Sequence, residues 1–206
     1  FIRRCKVDSD LLKESSLSFN ALLNYRYEVV LGKKGKQEEI RIVFEKSDFH
    51  HFAGLHKLTD LQKVHKRKAQ TIFEECLSGV ISFEDICKSD YINKCEIRLE
   101  IIKKFEDIMS QPNTYVRFNK VDPQSKMKWK YHLEFMVDGE EGYIFLDEYR
   151  SCPGTYMCVS CFNKGTFNYA NNQVRMTLLQ TKKVDIDTGE VVILYTNPSY
   201  TQVVNI

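Results

Sequence analysis

Three of the five histidines fall within ten residues, in the stretch "FHHFAGLHKL" at positions 49–58. An imidazole titrates near neutral pH, so it can take up a proton, give one back, or bind a metal through its free nitrogen. Ser47 offers an N-cap oxygen, and the pattern after it predicts a helix over 48–58. With Phe49 set at zero and about 100° per residue, Phe52, Ala53, Leu55 and Leu58 span an apolar arc from about 180° round to about 40°. His56 at about 340° and His51 at about 200° lie inside that arc, while His50 at about 100° and Lys57 lie outside it. This predicts that His51 and His56 face the protein and His50 faces solvent. A helical zinc pair needs imidazoles one turn apart, as in H-E-x-x-H, and spacings of five and six do not supply that. Two readings remain open: hydrogen-bonded core histidines, or acid–base groups at a helix boundary, where Gly54 permits close approach.

Other chemistry is less well supported. Cys158 and Cys161 form a C-x-x-C, but on a regular strand positions i and i+3 point to opposite faces, so structural thiols are expected. No phosphate-cradling glycine loop, dinucleotide fingerprint, nucleophile elbow or clustered carboxylate set occurs, and no cofactor or metal is implied. In "SKMKWKYHLEF", Lys126, Lys128, Lys130 and His132 alternate with Met127, Trp129, Tyr131 and Leu133, giving one basic and one apolar side. "KVHKRK", with Lys66 and Arg67, adds a basic cluster just after the histidines. Such runs are ordinarily solvated faces, but together they are what a phosphate backbone requires.

Elements must hold these groups in place. The chain has 206 residues, 43% of them apolar, enough for a sizeable core, and a net charge of only +2, so any affinity for nucleic acid must come from local clustering. Seven scattered cysteines favour a reduced, cytoplasmic setting, and no run of about 18 apolar residues marks a membrane span. "YRYEVVL" and "EEIRIVF" around "GKKGKQ" read as a hairpin. Helical spacing then dominates to residue 110, with a stop at Gly79, a capping-box start at Ser82 and Asp85, and apolar positions Ile92, Cys95, Leu99, Ile102 and Phe105. Beyond "QPN" the period becomes two. The expected fold is α+β, a β-hairpin and helices packed on a mostly antiparallel sheet of five to six strands. It is read as one domain over 1–206, with a hairpin and helical part at 25–112 and a sheet part at 113–206.

The block "SDFHHFAGLHKLTD", the helical "FEECLSGVISFEDICKSDYI" and the tail "YIFLDEY…TYMCVSCFNKG…VRMTLLQTKKVDIDTGEVVILY" together resemble the fourth phage-associated subfamily of the barnase, EndoU, colicin and RelE-like nucleases, over residues 25–196 in element order. The resemblance implies a phage- or mobile-element-associated endoribonuclease, toxin-like and independent of metal, that cleaves RNA through a 2′,3′-cyclic phosphate. It implies RNA as partner, tRNA among the candidates, with a cognate antitoxin or immunity protein and no membrane. Carried over by position, His56 in "GLH" is expected to transfer a proton, His51 to act as a second acid or base or to orient it, and Ser160 and Thr177 to hydrogen-bond phosphate. Lys57, Lys66, Arg67, Lys128 and Lys130 are expected to attract the backbone. No barnase-like order of Glu, Arg and His is legible on the strands. The rival expectation is a non-enzymatic protein that binds a host protein or nucleic acid through the same fold. A metal-dependent DNA nuclease would need acidic ligands that the sequence does not cluster.

Overall fold

The computed structural model describes residues 9–120 and 127–201, so Lys126 of the basic run lies outside the described residues. Asp10 caps α1 (Leu11–Leu22) by accepting from the Lys13 amide at 3.0 Å. The serines of this helix obscure its period in the sequence: Ser15 and Ser16 are buried, and Ser15 Oγ reaches the Leu99 carbonyl at 3.0 Å. The hairpin β1 (Tyr25–Lys33) and β2 (Lys36–Ile42) turns at Lys34 and Gly35, both with positive φ, the geometry a two-residue hairpin turn needs. Helices follow: α2 (Asp48–Phe52), α3 (Gln62–His65), α4 (Ala69–Ser78), α5 (Phe83–Ile86), α6 (Asn93–Lys103) and α7 (Phe105–Met109). Gly79 ends α4 in the left-handed conformation, and Ser82 and Asp85 form a reciprocal capping box, both as the sequence predicts. The strands β3 (Thr114–Arg117), β4 (Tyr131–Val137), β5 (Glu140–Glu148), β6 (Thr155–Asn163), β7 (Val174–Asp185) and β8 (Val191–Thr196) complete the chain.

The expected open sheet of five to six strands is wrong. Eight strands run in the order β1-β2-β6-β5-β4-β3-β7-β8, and β7 also pairs with β1, which closes the first seven into a mixed barrel with β8 as an extra strand. Two features close it. The twelve-residue β7 is long enough to pair with β3 through Val174–Met176 and with β1 through Thr177–Asp185. On the other side, β2 meets β6 in a parallel pairing of only two residue pairs, Arg41 with Thr155 and Ile42 with Tyr156. A contact so short and so distant in sequence leaves no periodic signal.

One face of the strands and the helices share the main core, which extends from Leu12 through the strands to Leu178. Its centre is aromatic: Phe49 lies 5.2 Å from Phe19 and 5.1 Å from Phe73, and Phe44 lies 5.1 Å from Phe105. A second cluster, built on Val116, Trp129, Tyr143, Phe145 and Ala170, occupies the opposite strand face.

Candidate functional site

The helix bearing the histidines is shorter than its sequence suggests. α2 stops at Phe52, Gly54 takes φ +77°, and Leu55–Lys57 form one 3-10 turn. The left-handed glycine redirects the chain, so the wheel angle extrapolated past Ala53 loses its meaning. α2 itself is pinned by Asp48, whose carboxylate accepts from the Glu45 amide at 2.8 Å and from the Tyr149 hydroxyl at 2.5 Å. Phe49 and Phe52 enter the aromatic core, and the Phe52 carbonyl accepts from Cys161 Sγ.

The turn folds the histidines together. The ring centroids of His51 and His56 are 4.4 Å apart with a 34° tilt, and His50 lies 5.8 and 6.2 Å from them. The expected orientations of His50 and His51 are reversed. His50 is 5% exposed and its Nε2 donates to the Val64 carbonyl at 3.0 Å, whereas His51 is exposed. The reason is α3, which lays Val64 over the side that the wheel assigned to solvent. His56 is half-buried, and its Nδ1 donates to the His50 carbonyl at 3.4 Å. His65, which the sequence reading left inside a basic run, donates from Nδ1 to the His56 carbonyl at 2.8 Å.

These bonds set the tautomers. A carbonyl only accepts, so Nδ1 of His56 carries the hydrogen and Nε2 keeps its lone pair. Burial lowers the pKa of His56 to about 4, helped by the charges of His51, Lys57 and Arg98 and opposed by the His50 bond. Burial also lowers those of His50 and Lys57, the latter with help from Arg98 and Lys94.

Arg98, on α6, is the group that sequence reasoning missed. It is 6% exposed, and its side chain crosses Gly54 so closely that a Cβ there would lie 2.6 Å from Arg98 Cδ. Its guanidinium carbon stands 5.9 Å from the centroid of Phe162, and Nη1 is buried with no hydrogen-bond partner. Among the described residues no salt bridge involves Arg98, Lys57 or Lys94; Lys94 stands over the Tyr91 ring at 4.3 Å. The only sequence clue was an arginine on the otherwise apolar side of "CEIRLEII".

The remaining candidates lie apart. Ser160 is buried opposite Phe145 and faces the second cluster, while its neighbour Cys161 faces the main core and the Phe52 carbonyl. A bulge that leaves Val159 without a partner brings Cys158 and Cys161 into the same main core, so the opposite-faces argument fails for this strand, although both are buried free thiols. Thr177 is exposed across from Gly32, beside the hairpin turn. Lys66, Lys128 and Lys130 are exposed, and Arg67 is held by both carboxylate oxygens of Glu75. His132 is fully buried rather than part of a basic face. On that face the structure does assemble a Glu, Arg and His set: Glu134 on β4 pairs with Arg175 on β7 at 2.8 Å, and His132 stands opposite Val116, which is itself opposite Arg175. Neither His132 nitrogen has a partner, and burial, with Arg175, lowers its pKa to about 3.

Two surface grooves lie away from the histidines. One of about 360 Å³ is lined by Ile97, Ile101, Phe135 and Val137, and one of about 430 Å³ by Gly32, Lys34 and Thr177. Among the described residues no group of three or more His, Cys, Asp or Glu side chains is placed to hold a metal ion, and no helix is long and apolar enough to cross a membrane.

No curated protein and no solved structure matches the chain. A family model described as phage-Barnase-EndoU-ColicinE5/D-RelE like nuclease4 matches residues 11–197, from the first helix through the last strand. With its histidine turn, cationic helix and strands all inside that span, the chain belongs to this phage-associated nuclease family.

Proposed function

We propose that the protein is a metal-independent endoribonuclease that cleaves RNA through a 2′,3′-cyclic phosphate, with His56 moving the first proton. The observation that carries this reading is the commitment of His56 Nδ1 to a carbonyl, which leaves a half-buried Nε2 lone pair beside the exposed ring of His51. In this reading Nε2 removes the proton of the 2′-hydroxyl, the 2′-oxygen attacks phosphorus, and the 5′-oxygen leaves with a proton from a second group, a role we assign to His51. His65 and His50 position the turn through their carbonyl bonds. A nuclease that acts on RNA in the cytoplasm endangers its producer, so a cognate antitoxin or immunity protein belongs to the same proposal.

The experiment is cleavage of mixed tRNA and mRNA in excess EDTA, with end-group analysis of the products. His56→Ala is expected to reduce the rate by about 10²- to 10⁴-fold, the usual worth of an acid or base, while the protein stays folded. Retained cleavage by His56→Ala, dependence on added metal, or equal cleavage of 2′-deoxy substrate overturns the proposal. His50→Ala is expected to lower stability, because it strands the buried Val64 carbonyl.

A second reading places the chemistry on the other strand face, favoured by the unpartnered nitrogens of His132 beside the Glu134–Arg175 pair. Against it, Trp129 packs 4.6 Å from the His132 ring and the histidine is shut from solvent. Loss of cleavage in His132→Phe with His56→Ala still active would select it.

A further inference from the structure

A buried guanidinium without a carboxylate is the strongest anomaly in the described structure. Removing a full charge from water is costly unless a counter-charge and hydrogen bonds replace the water. Arg98 has neither: its face meets Phe162, its stem is pressed against Gly54, and Nη1 is orphaned. Two further cations, Lys57 and Lys94, act on the same region, each without a salt bridge among the described residues, and His56 adjoins them. Placing a buried guanidinium beside half-buried Lys57 and exposed Lys94, with no salt bridge to any of the three among the described residues, makes sense if the anion comes from outside the chain.

We infer that Arg98, with Lys57 and Lys94, forms a receptor for one phosphoryl oxyanion beside His56, with the guanidinium of Arg98 at its inner end. A guanidinium offers fixed planar donors that match phosphate oxygens, and two flexible ammoniums add charge from the open side. Gly54 is then more than a turn residue, since only a position without a Cβ lets Arg98 pass between α6 and the 3-10 turn. The occupied site would also act on His56. The cations that disfavour its protonation are neutralised by the bound anion, so the imidazole becomes more basic when substrate is present. In the proposed nuclease this phosphate is the scissile one or its neighbour, and to that extent the inference rests on the nuclease reading. The binding site itself does not.

The test separates the two. The parent protein, Arg98→Met, Arg98→Lys and Lys57→Gln are melted in sodium phosphate and in sodium chloride at matched ionic strength, and titrated with a 2′-deoxy oligonucleotide that cannot be cleaved through a 2′-hydroxyl. Phosphate should raise the melting temperature of the parent and leave that of Arg98→Met and Arg98→Lys unchanged, with a reduced rise in Lys57→Gln. Oligonucleotide affinity should fall at least about tenfold in both Arg98 variants, the loss expected when a charge-assisted bidentate contact is removed. In chloride, Arg98→Met should melt no lower than the parent, because replacing an uncompensated buried charge by an apolar chain is neutral or stabilising. A lower melting temperature for Arg98→Met in chloride would make Arg98 a structural residue and end the inference, as would equal phosphate stabilisation of all four proteins. If oligonucleotide binds through Arg98 but inorganic phosphate does not, the receptor stands as one for backbone phosphate alone. If phosphate binds as described and no RNA is cleaved, the nuclease reading fails and the anion site remains. If RNA is cleaved and the Arg98 variants bind like the parent, the anion site fails.

Discussion

Gly54→Ala isolates the feature that organises the histidine turn. Two terms add. An L-residue at φ +77° pays about 1–2 kcal/mol for the left-handed backbone. The new Cβ would also lie 2.6 Å from Arg98 Cδ and 2.9 Å from the Lys94 carbonyl, one atom held under Phe162 and the other in helix backbone. Forced overpacking of this kind typically costs about 1–3 kcal/mol. The sum, about 2–5 kcal/mol, corresponds to a fall of roughly 4–20 °C in Tm for a chain of this size. Gly139 is the internal control: its φ is +80°, but a Cβ there would meet nothing within 4 Å. Gly139→Ala should therefore show only the backbone term, roughly 2–8 °C. Calorimetry of the two variants separates the backbone term from the steric one. Cleavage assayed well below all the melting temperatures should fall more than about tenfold in Gly54→Ala, since either Arg98 or the turn carrying His56 must move, and stay unchanged in Gly139→Ala. Equal melting of Gly54→Ala and Gly139→Ala would refute the close packing of Arg98 on this turn.

Three other predictions follow from the same structure. Tyr149→Phe removes the hydroxyl that donates to buried Asp48 and should cost about 1.5–3 kcal/mol in urea unfolding, the worth of a hydrogen bond to a charged group. Ser82→Ala breaks the capping box of α5 and should cost about 1 kcal/mol in the same assay. Stability should fall as pH drops from about 6.5 towards 4. The folded pKa values of His50, His56 and His132 all lie below the unfolded value, so the unfolded state binds more protons there, and each histidine contributes up to about 1.4 kcal/mol per pH unit. A flat urea midpoint across that range, or a slope unaltered by His132→Phe, would contradict the burial of these rings.

Local signals were legible and long-range ones were not. The hairpin turn, the Gly79 stop, the Ser82 box and the apolar series Ile92, Cys95, Leu99, Ile102 and Phe105 each depend on residues within a few positions of one another, and each appears where the pattern put it, save that Ile92 is only half-buried. α1 was silent because Ser15 and Ser16 are buried where a periodic reading expects apolar residues. Barrel closure depends on the length of β7 and on two parallel pairs between β2 and β6, neither of which has a local signature. The grouping of the histidines was half legible: His50, His51 and His56 lie close in sequence around Gly54, but the direction of His50 depends on Val64 arriving from α3. The C-x-x-C geometry was misread because one bulge residue, Val159, shifts the face of everything after it.

The two strand faces each bury a polar group that lacks partners, and the difference between those groups bears on which face works. His132 can relieve its situation by remaining neutral, and burial drives its pKa to about 3, so the cost of keeping it is that of unsatisfied nitrogens among aromatic rings. Arg98 has no such escape, because a guanidinium does not give up its proton in a protein. Its charge must be endured or compensated in every state of the molecule. Methionine or leucine would fill the space between Gly54 and Phe162 without that penalty. A neutral buried histidine is therefore compatible with a purely structural role, while the charged group beside His56 is accounted for by the anion proposed above. Arg98→Met is the one substitution for which structure and function predict opposite signs: stability held or gained without anion, binding lost with it.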